Sequence, residues 1–217
     1  NYNGILAFCL FGVSIAILLL VATSGLLDTF DKTLNQAADF YLTEHPDRIS
    51  VYLDSPYPID ASQADPMTAT FIDVQRIETL RQLKTEDGDP MFRKVDVGMV
   101  MMGTLDEDDA DIPVLIEMFD PEEATWQPEV VDGTLPDGES GIVISQKAAD
   151  ELDVKVGDSI TLSHPEREGM LNYRMVETQV PVIGIHGNPM RSQTYMSLNQ
   201  AGLMGIEGFA NKLILYP

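Results

Sequence analysis

Residues 1–27 contain no Asp, Glu, Lys, Arg or His, whereas all 13 basic and 35 acidic side chains of the 217-residue chain lie beyond them. Residues 4–27 make about 36 Å of helix at ~1.5 Å per residue, enough to cross a hydrocarbon core of roughly 30 Å. In lipid every backbone N–H and C=O needs an internal partner, so a lone apolar run of this length has to be helical. The segment reads as a transmembrane helix. A secretory signal peptide has a basic leader and a shorter apolar core, and no Lys or Arg precedes this run. A buried helix of a soluble protein would show a polar stripe, and none is visible. The chain does not begin with Met, so it reads as a fragment whose orientation-setting flank lies outside it.

The remainder is long enough for one large domain or two small ones. Its surface is strongly acidic. A net charge of −22 repels phosphate and anionic headgroups, which argues against nucleic acid as a partner. The charge is uneven, since residues 95–146 hold 14 acidic side chains and no Lys or Arg. That stretch reads as a solvated face pointing away from the bilayer. The single cysteine, Cys9, lies in the apolar run, so there is no disulfide framework and no cysteine-based metal site.

Past the membrane the helix is expected to continue. Leu27, Phe30, Leu34, Ala37 and Tyr41 recur at 3-4-3-4 spacing with charged and polar residues between them, the pattern of an amphipathic stalk. It should stop near His45, because Pro46 disfavours helix at the residue before it. Beyond, alternation predicts strands over 49–53, 94–102 and 113–119, and helical spacing predicts a helix over 73–83. Residues 141–144 read as a short apolar strand, Ser145 as an N-cap and 146–152 as a helix. Val156-Gly157-Asp158 turns into a strand over 159–162. Residues 179–185 form another, its Pro181 marking an edge or a first turn. Residues 194–198, a short helix at 200–204 and a strand at 212–216 complete the pattern.

Four pieces of this pattern, in order behind a membrane helix, resemble the extracytoplasmic core domain of FtsX-like ABC transporter permeases of the MacB and LolC type. They are Asp132-Gly133-Thr134-Leu135-Pro136 with Gly141-Ile142-Val143-Ile144-Ser145; the run from Ala148 to Leu162; Val180-Pro181-Val182-Ile183-Gly184-Ile185; and Tyr195-Met196-Ser197-Leu198. The resemblance implies an inner- or cytoplasmic-membrane protein with its domain on the extracytoplasmic side. It further implies a permease subunit that transmits ATP-driven motion of a cytoplasmic ABC ATPase to a substrate or partner protein outside. A second permease copy or homologue would complete a dimer.

The expected fold class is α+β: a transmembrane and stalk helix over 1–46, then a two-lobed domain of mixed strands and helices over 47–217. One lobe would comprise 47–102 plus 180–217, the other 103–179. No catalytic, cofactor or metal residue is assigned. His45, His164 and His186 have no zinc-ligand spacing, and no nucleophile elbow or phosphate loop occurs. Asp106 to Asp111 with Glu117 partly imitates a calcium loop but lacks its glycine and its fifth-position oxygen. The chain therefore reads as non-enzymatic. A membrane-anchored extracytoplasmic sensor or ligand-binding domain is the alternative.

Overall fold

The computed structural model describes residues 23, 25, 29–32, 34, 35, 47–64, 69, 73–107, 110–138, 141–169, 172–188 and 192–217. The chain divides into two compact units, Asn1–Glu44 and His45–Pro217. In the first unit the described residues are helical, with Phe30 and Leu34 of the stalk pattern 62% and 52% exposed. Most of the expected span, and Leu27, Ala37 and Tyr41 of the stalk, lie outside the described residues. Among the described residues no helix is long and apolar enough to cross a membrane.

The second unit is rich in strand. Its elements run β1 (Ile49–Pro58), α1 (Arg76–Arg81), β2 (Lys94–Glu107), β3 (Ala110–Phe119), β4 (Val130–Gly133), β5 (Ile142–Ser145), α2 (Gln146–Leu152), β6 (Ser159–Glu168), β7 (Asn172–His186), β8 (Gln193–Ser197) and β9 (Phe209–Tyr216). Short 3-10 turns lie at Ala61–Gln63 and Leu198–Met204. All nine strands join one sheet. Pairing runs β2–β3–β8–β5–β7–β6 and returns from β6 to β2, so six strands close a circuit. β4 extends from β7, while β9 and then β1 extend from the N-terminal half of β2.

Two apolar cores follow from this closure. The larger one collects alternate residues of the circuit, among them Leu105, Ile116, Met118, Ile144, Leu162 and Val182. Fully burying each such side chain contributes about 1.5–3 kcal/mol. Helix α2 closes one side of this core: Ser145 Oγ accepts from the Ala148 N–H at 3.1 Å, and the capped turn directs Ala148, Ala149 and Leu152 inward. The smaller core lies where β1 and β9 leave the circuit. There Leu213 and Leu215 of β9 meet Tyr57 of β1 and Ile77 of α1.

Mixed strand and helix is therefore the architecture, but it does not divide into the two expected lobes. The boundaries at 102/103 and 179/180 fall inside β2 and β7, each a single continuous strand. Val180, Val182, Ile185 and Met196, expected in the lobe of 47–102 plus 180–217, share one core with Leu105, Ile112 and Leu162, expected in the other. The reason at Gly103 is steric. A Cβ there would lie 2.7 Å from Ile116 Cδ1 and 2.9 Å from the Ser163 carbonyl, so glycine lets β6 approach β2 rather than ending the strand. Pro181 is not in a first turn, since β7 begins at Asn172. It sits where β7 hands over from β6, at Ser159↔Pro181, to β5, at Ile142↔Val182. β1 runs beyond the expected 49–53 and ends at Pro58, because an irregularity between Tyr52 and Tyr57 lets the strand continue through Pro56.

Candidate functional site

The start of β1 and the end of β9 are side by side, with Ile49 opposite Leu215 and Ser50 opposite Ile214. The last residues are also held from β2. The Arg93 N–H donates to the Tyr216 carbonyl at 2.8 Å, and Arg93 Nε donates to the Pro217 carbonyl at 2.5 Å.

Register places an unusual set of side chains on one face here. Paired residues share a face and successive residues alternate, so Tyr52, Lys212, Tyr216, Asp96, Gly98, Glu117, Phe119 and Tyr195 all lie on the same side of the sheet. It is the side opposite Met118, Ile116 and Met196, hence the outer surface of the circuit. Yet most of this layer is buried.

Lys212 crosses β2 above Gly98 and donates to Glu117 Oε1, while Glu117 Oε2 accepts from Gln193 Nε2 at 3.1 Å. A side chain at residue 98 would collide with β3, since its Cβ would stand 2.7 Å from the Met118 carbonyl, and it would touch Lys212 Cβ at 3.9 Å. The Lys212 ammonium also lies 5.7 Å from the Tyr52 ring. Tyr52 is itself 63% exposed; partial desolvation of its hydroxyl, then the Glu117 charge, raises that hydroxyl's pKa. Nearer the chain ends, Asp96 accepts from the Thr125 N–H at 2.7 Å and stands 3.4 Å from Lys94 Nζ. Burial first, and the Asp96 carboxylate second, push the Tyr216 hydroxyl up to about 12.

An aromatic series continues the layer. The Arg48 guanidinium lies 4.4 Å from the centre of the Trp126 ring. Trp126 meets Tyr195 edge-on at 6.2 Å, and Tyr195 meets Phe119 at 6.5 Å and His186 at 4.9 Å. His186 is fixed as a neutral tautomer: its Nε2–H donates to the Gln193 carbonyl at 2.9 Å, and Nδ1 accepts from the Asn188 N–H at 3.2 Å. Burial holds its pKa below the usual histidine value.

Residues 6–214 match the family of the MacB-like periplasmic core domain. The chain belongs to that family. Such domains are the extracytoplasmic parts of ABC transporter permeases. Among solved structures, the chain is similar to the extracellular domain of the noncanonic ABC-type transporter YknZ from Gram-positive bacteria. That match is 17% identical, covers 78% of this chain and 82% of the other, and has a TM-score of 0.48. The periplasmic region of MacB from Actinobacillus actinomycetemcomitans is 10% identical, with 78% and 73% covered and a TM-score of 0.44. No curated protein matches the chain.

In this MacB-like domain the sequence pieces that carried the resemblance converge on the circuit: 132–136 leaves β4, 141–145 holds β5, 148–162 spans α2 and the start of β6, and 195–198 holds most of β8. The described part of the acidic stretch flanks the turn between the paired strands β2 and β3. Asp106 pairs with Asp111 at the ends of β2 and β3, and Glu117 lies in mid-strand, bonded to Lys212. His164 and His186 are both buried on β6 and β7, the former with Nε2 2.9 Å from Thr178 Oγ1; His45 lies outside the described residues. Among the described residues no group of three or more His, Cys, Asp or Glu side chains is placed to hold a metal. A cleft of about 240 Å³ lies beside Asp96, lined also by Ile59, Arg81, Lys94, Asp120 and Glu123.

Sequence reading did not single out Arg48, Trp126, Asp96 or Gln193. Two signals were nevertheless present: a lysine in the apolar strand Lys212-Leu213-Ile214-Leu215 and a glutamate in Leu115-Ile116-Glu117-Met118. A charge inside a buried strand needs a partner, and each supplies the other.

Proposed function

We propose that this chain is the first span and outer domain of a non-enzymatic ABC transporter permease subunit, passing the ATP-driven motion of a cytoplasmic ATPase to a substrate or partner outside. The observation that carries the reading is the pairing of Ile49 with Leu215. A domain inserted between two membrane spans has to receive and return the chain at one place, and this register does so. Load arriving through the stalk then reaches β1 and β9 together, and through them β2, the strand shared by both cores. This arrangement is suited to transmit load from the chain ends to the circuit. In this reading the permease works as a dimer, with its domain on the extracytoplasmic side of the cell membrane.

The stalk supplies the test. Proline inside a helix removes a hydrogen bond and clashes with the preceding turn, at a cost of about 3 kcal/mol or more. Leu34→Pro lies in the helical stretch of the first unit and changes no residue of the strand-rich second unit. In the transporter reconstituted with its ATPase, this variant is expected to keep ATP hydrolysis and a folded outer domain while losing nucleotide-dependent movement of spin labels on that domain. Normal movement in the variant would reduce 27–41 to a tether and remove the reading's mechanical basis.

A further inference from the structure

The proposed function requires that motion arriving at the start of β1 be carried to the closed circuit, and β1 itself touches that circuit only indirectly. It pairs with β9, and β9 with the N-terminal half of β2. A shorter connection exists. Arg48 immediately precedes β1, and its guanidinium covers the Trp126 ring at 4.4 Å. The Nη1 atom of that guanidinium is buried with no hydrogen-bond acceptor among the described residues, so the indole face is what meets the cation there. Trp126 is only 7% exposed, and it packs on Tyr195, which is 1% exposed and belongs to β8 of the circuit. Two side-chain contacts therefore join the residue before β1 to a strand four places away in the sheet order.

Resting on the reading above, we infer that Arg48 is a positioning residue: its stacking on Trp126 couples the chain segment that enters β1 to the outer layer of the circuit. Charge, and not merely cover, is the active property, because a partly desolvated cation is attracted to the indole quadrupole. Losing that attraction shifts the ratio of docked to undocked Trp126 by about tenfold. A general change in packing would not depend on the charge at residue 48.

Trp126 is the single tryptophan of the 217 residues and reports on its own contact. The permease is purified with its ATPase in nanodiscs after labelling with fluorotryptophan, and the Trp126 fluorine resonance is assigned by its loss in Trp126→Phe. The resonance is expected to shift between ADP and a non-hydrolysable ATP analogue in the wild type and in Arg48→Lys, which keeps a cation over the ring. Arg48→Gln is expected to abolish the shift with ATP hydrolysis unchanged and the outer domain still unfolding in one cooperative transition. Arg48→Met, which covers the ring without a charge, should abolish it too and replaces the glutamine variant if that one does not fold. A shift that persists without the charge overturns the inference. So does a silent wild-type resonance while spin labels elsewhere on the domain respond to nucleotide; the proposed function then stands without this joint. Labels that also stay still would instead overturn the proposed function, and the joint with it.

Discussion

Lys212 and Glu117 are 95 positions apart in the chain and meet across Gly98 of β2. Their side chains are 8% and 11% exposed, so neither charge has water to fall back on. Removing one partner strands the other, which typically costs about 3–5 kcal/mol, whereas replacing both can be nearly neutral. Lys212→Met alone is therefore expected to lower unfolding free energy in urea by about 3–5 kcal/mol. The double variant Lys212→Met with Glu117→Gln should recover most of that loss, since the new amide oxygen can still accept from Gln193. Equal stability of single and double variants would show that the pair is not coupled. Each residue was visible as a charge in an apolar strand, but the pairing was not: register across β9, β2 and β3 is set by turns and cores that no local pattern reports. Arg48 and Trp126 were hidden for the same reason, being loop and strand-lead residues joined only by the fold.

At the scale of elements, what repeats locally was legible and what depends on a neighbour was not. The Ser145 cap, helix α2, the Gly157 turn and the buried strand β5 are spelled out by adjacent residues, and the structure contains them. The outer half of the β6–β7 hairpin went unread because 164–168 holds no aliphatic side chain and the apolar Tyr173 and Met175 of 172–178 are exposed among charged residues, so no buried face shows as an alternation. Strand β4 is only four residues long. The lobe boundary failed at Gly103, where a glycine that permits contact looks the same in sequence as one that ends a strand. Gly103→Val puts branched carbons where Ile116 and the Ser163 carbonyl already stand, at 2.7 and 2.9 Å from the Cβ position alone. Ile116 can rotate, but the carbonyl belongs to the backbone of β6. The expected result is a loss of about 1–3 kcal/mol with faster amide exchange in β2 around 104–106 and in β6 around 161–163, where those strands pair. Unchanged exchange there would mean that β6 does not need this approach to close the circuit.

For the whole molecule, charge is the property that no single contact explains. Residues 1–44 carry only four acidic and one basic side chain, so the fragment 45–217 keeps nearly all of the −22 imbalance. Like charge at that density opposes compaction, and salt screens it: the Debye length falls from about 30 Å at 0.01 M to about 8 Å at 0.15 M. Salt also weakens exposed ion pairs, which argues for the opposite effect. Among the described residues there is little for it to weaken, because Lys212–Glu117 is buried and the more exposed Lys94–Asp96 and Arg174–Glu166 pairs, at 3.4 and 2.6 Å, are worth only about 0–1 kcal/mol each. Relief of repulsion should therefore win. The fragment 45–217 forms one compact unit with its own cores and is expected to melt cooperatively as a monomer without detergent. Its melting temperature should rise between those two salt concentrations, by about 2–4 °C for each kcal/mol of repulsion removed. Sodium and tetramethylammonium chloride should act alike if screening is the cause, and a rise seen with sodium alone would point instead to cations bound at particular carboxylates. A melting temperature that falls with both salts would mean that ion pairs, not the buried layers, carry the fold.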